Sequence, residues 1–121
     1  MDLTFEIPRA TVLSSNDRHH WAAKAKRTKT IRALARVAAL NHGTAADPPV
    51  NITATVQYAR AGRHDAHNLQ PTVKALIDGL VDGGLLVDDS DEYVHAVTFK
   101  ACVGRGRTGH TTIHINLEEV T

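Results

Sequence analysis

The sequence predicts a single small α/β domain of the α+β kind: a mixed β-sheet packed with two main helices, in the order β-α-β-α-β-β. Three observations predict it. Apolar and polar residues alternate from Val50 to Tyr58 and again from Thr111 to Leu117, the period-two pattern of half-buried strands. Between Asn68 and Gly84, Leu69, Val73, Leu76, Ile77, Leu80 and Val81 recur at the spacing of one helical face. A length of 121 residues suits one compact core with little room for a separate module, so residues 1–121 read as one domain.

In chain order, Leu3 to Ile7 alternates before Pro8, as an opening strand does. Ser14-Ser15-Asn16-Asp17 offers a loop and a cap. Trp21, Ala25, Ile31, Ala33, Leu34, Val37, Ala38 and Leu40 then trace a long basic helix ending at Asn41-His42-Gly43. Thr44 to Pro49 is a short connection, and Val50–Tyr58 is the second strand. Asn68 is the expected N-cap of the second helix and Gly83-Gly84 its stop. Tyr93 to Val103 is rich in β-branched and aromatic residues, and with the last strand it is expected to form a hairpin across Gly104-Arg105-Gly106-Arg107-Thr108-Gly109.

A formal charge of +1 excludes a generic polycation, yet the cations are unevenly spread. Arg18, Lys24, Lys26, Arg27, Lys29, Arg32 and Arg36 are seven of the fourteen Lys and Arg, in a stretch whose only acid is Asp17. Such a patch attracts phosphate backbones, and Arg105 and Arg107 add a basic turn that could clamp DNA non-specifically. Few aromatic residues argue against single-strand stacking as the main binding mode. Cys102 is the only cysteine, which excludes an internal disulfide and a cysteine-rich zinc site and fits a reducing, cytoplasmic setting. No run reaches membrane-spanning length, and the acidic start is unlike a signal peptide.

The chemistry gathers around the helix of residues 68–84. Asp65 precedes it and Asp88-Asp89 follow it, with Arg63, His64, His67 and Lys74 nearby. If folding brings the flanking loops together, hard carboxylate oxygens would suit Mg²⁺ or Mn²⁺, and an ion there could activate water against a phosphodiester. His64-Asp65 alone would suit a histidine-aspartate phosphohydrolase, but those folds are largely helical and the alternating segments oppose that reading.

Arg63-x-Asp65-x-x-Asn68, then Lys74-x-x-x-Asp78-Gly79-Leu80, then Gly83-Gly84-Leu85-Leu86-Val87-Asp88-Asp89, resembles the RusA family of Holliday junction resolvases, especially phage and actinobacterial members. Ser14-Ser15-Asn16-Asp17-Arg18 after a short strand is similar to the family's Ser-Asn-x-Arg segment. The resemblance implies a homodimer that cuts opposed strands of a four-way junction with Mg²⁺, in a bacterial cell or from a phage or prophage. It implies Asp65 and Asp89 as catalytic acids and metal ligands, Asp88 as the adjacent acid, and Lys74 as the cation on the scissile phosphate. Asn68 matches the asparagine closing the family's Asp-x-Asp-Asn signature. Arg18, Lys24, Arg27, Arg63, Asn68, Arg105 and Arg107 are the expected DNA contacts.

One departure stands out: His67 occupies a position where the family usually has an acid. Neutral imidazole can bind Mn²⁺ but is a poor Mg²⁺ ligand, so His67 would retune the metal site. The alternative is a branched-DNA-binding protein with weakened cleavage. Gln70-Pro71-Thr72-Val73 also lengthens the spacing between Asn68 and Lys74 relative to the best-known members.

Outside this motif the residues have plainer expectations. Asp78 would orient Lys74, His19-His20 would make ordinary polar contacts, Trp21 would pack in the core or an interface, and His110 and His114 would face solvent.

Overall fold

The computed structural model describes residues 1–18, 20–62 and 64–120. It holds β1 (Asp2–Pro8), α1 (Trp21–His42), β2 (Val50–Tyr58), α2 (Gln70–Asp82), β3 (Val94–Val103) and β4 (His110–Glu119), with 3-10 turns at Arg9–Thr11 and Ala66–Leu69. This is a single small α+β domain: one four-stranded mixed sheet with two helices, in the expected element order.

The strand order is β1-β4-β2-β3. β4 lies antiparallel between β1 and β2, whereas β3 runs parallel to β2 at the sheet edge. The expected β3–β4 hairpin is therefore absent. β4 buries Thr112, Ile113, Ile115 and Leu117, as a central strand does, while β3 buries only Val94. The six residues 104–109 are long enough to cross over the end of β2, and the Gly104 amide donates to the Tyr58 carbonyl at 2.8 Å on the way. Strand spacing makes that crossing about 10 Å, too far for a two-residue turn.

One face of the sheet carries the core. Phe5, Ile7, Ile52, Ala54, Val56, Ile113 and Ile115 join Val73, Leu76, Ile77 and Leu80 of α2 in one buried cluster. The opposite face is polar, and on it His114 receives a bond from Thr4 Oγ1 at 3.0 Å and approaches Gln57 Oε1 at 2.7 Å. His114 is thus half-buried and bonded, and His110 is half-buried as well, contrary to the expectation that both face solvent.

α1 buries Ile31, Ala35 and Ala39 in the core, with Ala38 packed half-buried against it. Those positions share one face at i, i+4 and i+8, and on it Ala35 meets Gly79 and Ala39 meets Gly83 of α2. A Cβ on Gly79 would strike the Arg32 carbonyl and Ala35 Cβ, so the two backbones approach closer than side chains allow. The pair is also clasped by Arg32, whose Nε and Nη2 donate to the two Asp82 oxygens at 2.9 Å each. Leu34, Val37 and Leu40, expected on the apolar face, lie exposed. The first ten residues of α1 bury nothing, so Trp21 is 75% exposed and packs in no core.

Two helix starts differ from expectation. The Asp17 carboxylate accepts from the Ser14 amide at 2.7 Å and so closes a local turn, while α1 is capped by His20, whose Nδ1 accepts from the Ala22 amide at 3.3 Å. Asn68 sits inside the 3-10 turn instead of capping α2, which begins at Gln70 with Pro71 in its first turn. Gly83 ends α2 where expected.

Candidate functional site

The ends of β1, β2 and β3 and the start of β4 meet at one edge of the sheet, because β4 runs antiparallel to β1 and β2 and β3 runs parallel to β2. The loops that leave this end carry Arg18, Asp65, His67, Asn68, Arg105 and Arg107, whereas Asp88 and Asp89 lie in the loop that leads to the start of β3. The first loop is tied to the second: Ser15 N and Oγ both donate to the Asn68 carbonyl, at 2.8 and 3.0 Å. Below them the buried Thr72 hydroxyl donates to the Leu13 carbonyl at 2.6 Å and accepts from the Leu13 amide at 2.8 Å. Two motif segments more than fifty residues apart in sequence are thereby held side by side.

Asp65 follows β2 and is exposed, and it lines a hollow together with Tyr58. Burial, and secondarily the Asp65 carboxylate, push the Tyr58 phenol above its ordinary range. His64 stacks on Tyr58 with ring centroids 3.8 Å apart and 6° between planes, and its Nε2 donates to the Arg60 carbonyl at 2.8 Å.

His67 turns toward the sheet edge, where its ring meets Phe99 of β3 edge-on at 5.0 Å. Phe99 also lines a small cavity of about 100 Å³ with Gln70, Val73, Lys74, Ile77 and Val97. Phe99 therefore joins His67 to the Lys74 neighbourhood, a role the sequence signalled only by the single phenylalanine of β3.

Lys74, on the second turn of α2, forms the acidic cluster. Its Nζ bonds Asp78 Oδ1 at 2.9 Å, one turn on, and Asp89 Oδ2 across the return loop. The loop is aimed by burial of Leu85 and Leu86 and by Gly84, which adopts a positive φ of 80° that L side chains resist. Asp88 Oδ1 accepts from the Asp89 amide at 2.8 Å, which fixes the acid pair's orientation. The Lys74 hydrogen bond holds the Asp89 carboxyl below its usual range, against the opposing effect of burial. The same bond raises the Lys74 ammonium, with Asp78 adding to it.

The structure thus brings Lys74, Asp78 and Asp89 together, with Asp88 adjoining. No hydrogen bond or ion pair among the described residues links Asp65 or His67 to that group. Among the described residues no three His, Cys, Asp or Glu side chains are grouped closely enough to hold a metal ion. The donor chemistry suits Mg²⁺ or Mn²⁺, but the placement does not: Asp89 is engaged by a lysine and His67 is turned to an aromatic ring.

The expected DNA contacts fall in three places. Arg18, Lys24 and Arg27 lie in the loop before α1 and on its uncovered first turns, Asn68 beside Ser15, and Arg105 and Arg107 on the β3–β4 crossing. Arg63 lies outside the described residues. Among the described residues no helix is long and apolar enough to cross a membrane. No protein-family model matches the chain, and no curated protein matches it. The resemblance to resolvases rests on the ordered residues of the motif alone.

Proposed function

We propose that the chain is a structure-selective endodeoxyribonuclease that binds four-way DNA junctions as a homodimer and hydrolyses phosphodiesters with Mg²⁺ or Mn²⁺, leaving paired nicks. The observation that carries this reading is the bond between Lys74 and Asp89, two motif positions fifteen residues apart with catalytic roles in the resembling family. An ammonium fixed beside carboxylates can neutralise charge on a phosphate oxygen where it develops. Cations on the bare turns of α1 and on the β3–β4 crossing suit the backbone of a branched duplex, and a two-fold substrate favours a two-fold enzyme. Lys74 positions the phosphate, Asp65 lies at the cationic edge, and Asp78 and Asp88 orient their neighbours. The metal enters this reading through the motif, since the described arrangement supplies no ready cage.

A second reading has its own support. Lys74 occupies Asp89, His67 stands in place of an acid, and no three ligands among the described residues are grouped, as a junction-binding protein with weakened cleavage would have it. One assay separates the two. The protein is incubated with a mobile four-way junction and a linear duplex of equal length, in Mg²⁺, Mn²⁺ or EDTA. Symmetric nicks at the junction, lost in EDTA and in Asp65→Asn, are the expected result. Tight junction binding without scission in either metal rejects the enzyme reading, and equal affinity for junction and duplex rejects both.

A further inference from the structure

Apart from the Lys74 cluster, the end of the sheet where β1, β2 and β3 finish holds a pocket of about 370 Å³ under the β3–β4 crossing. Arg9, Arg60, Arg105 and Arg107 ring it, and Gln57 and Thr112 form part of its wall. No carboxylate lines it, and among the described residues none of the four guanidinium groups is in an ion pair. Four uncompensated guanidinium groups around one concavity focus a positive potential into it.

The wall is built of donors. Thr112 is only 4% exposed, and its Oγ1 is buried with no hydrogen-bond partner. A buried hydroxyl without a partner is destabilising unless something bonds it. Gln57 turns its Oε1 toward His114 at 2.7 Å, which leaves its amide nitrogen facing the crossing loop. The loop itself is shaped for close approach: a Cβ on Gly106 would strike Thr112 Oγ1, and one on Gly104 would lie 3.1 Å from Gln57 Nε2. Side chains at either position would fill the space in front of those donors.

We propose that this pocket is a phosphate-binding site, in which Thr112 Oγ1 and Gln57 Nε2 donate to a tetrahedral phosphate group that the four arginines neutralise. Guanidinium forks match phosphate oxygens in pairs, which suits them to this role better than lysine. Arg9, Gln57 and His110 also line the adjoining hollow that contains Asp65, so a phosphate held here lies one step along from that acid. The group is a phosphodiester of the nucleic-acid backbone if the endonuclease reading holds, and only this identity rests on that reading; a free phosphate is the other source of the same chemistry.

The test uses the full chain and measures binding without cleavage. Inorganic phosphate is titrated while amide and side-chain signals of Gln57, Gly106 and Thr112 are followed by NMR, for wild type, Thr112→Val and the exposed-site double variant Arg105→Gln/Arg107→Gln. Saturable shifts at these residues are expected in wild type, weakened about tenfold in Thr112→Val by loss of a bond to a charged group. The double variant is expected to lose them, and it keeps the test decisive should Thr112→Val fold poorly. Junction and duplex binding are then measured across salt concentrations. If the site holds backbone phosphate, the double variant weakens DNA binding and flattens its salt dependence by about 0.9 for each phosphate that is no longer neutralised. Phosphate binding with unchanged DNA affinity assigns the site to a free phosphate. Absence of shifts at this pocket, or phosphate binding equal to wild type in the double variant, overturns the proposal. None of these outcomes depends on scission, so a failure here is separate from a failure of the nuclease assay.

Discussion

Lys74 reaches across the return loop to Asp89 and, with the same nitrogen, holds Asp78 one helical turn away. The lysine side chain is 58% exposed, so this junction of charges works through water-accessible contacts and contributes modestly to stability. Its larger consequence is positional, since it fixes the loop that presents Asp88 and Asp89.

The pair predicts a specific pH dependence. The Asp89 carboxyl is held below its usual 3.8, so its stabilisation is full above that value and is lost as pH falls through the folded-state pKa. The Lys74 ammonium is held above its usual 10.5, so its share is full below that value and is lost as pH rises through the folded-state pKa. In thermal melts from acid to neutral pH, Asp89→Asn should flatten the acid limb, with a neutral-pH cost under about 1 kcal/mol. Parallel acid limbs in the variant and wild type would show that the pair is not formed in solution.

A carboxylate in place of His67 should favour Mg²⁺ if the proposed metal site forms. On the endonuclease reading proposed above, His67→Asp removes an edge-on contact with Phe99 and offers a hard oxygen ligand in its place, so junction cutting in Mg²⁺ should rise about tenfold or more relative to Mn²⁺. An unchanged ratio of the two rates would remove His67 from the metal argument.

Gly79 should tolerate nothing larger than hydrogen. Alanine is the better helix former by about 1 kcal/mol, yet its methyl group would meet the Arg32 carbonyl and Ala35 at the α1–α2 crossing. Overpacking against backbone costs about 1–3 kcal/mol and should outweigh the propensity gain, lowering the Tm of Gly79→Ala. A Tm equal to or above that of wild type would mean the helices separate without penalty.

The uncovered start of α1 should bind DNA without supporting the fold. Lys24→Ala should leave Tm unchanged, because no residue among the first ten of the helix is buried. It should lower duplex affinity at low salt and reduce the slope of log K against log salt by about 0.9 if Lys24 meets one phosphate. A salt slope identical to wild type would take α1 out of the interface.

Local pattern was sufficient for the elements and much of the core. Alternation at Val50–Tyr58 and the helical spacing from Val73 to Leu80 each match an observed buried face, because both record which side of an element meets water. The same rule failed on α1, where Leu34, Val37 and Leu40 look apolar in sequence but lie outside the narrow contact made by Ile31, Ala35 and Ala39. That contact is set by Gly79 and Gly83 on another helix, a partner that periodicity along α1 does not encode.

The residues of the candidate site were legible as types in an order: Asp65, His67, Lys74, Asp88 and Asp89 could be named from the chain alone. Their grouping was not. Whether Lys74 reaches Asp89 or Asp65 depends on how the loop after α2 folds back, which is decided by burial of Leu85 and Leu86. Likewise β3 lies parallel on β2, and β4 between β1 and β2, which buries Ile113, Ile115 and Leu117 at the centre of the sheet and leaves β3, with only Val94 buried, at its edge. That non-local choice carries Arg105 and Arg107 over Gln57 and Thr112. The sequence by itself determined the elements and the chemical inventory, which are local properties. Only the tertiary structure decided which charges stand together, because that depends on contacts between segments far apart in the chain.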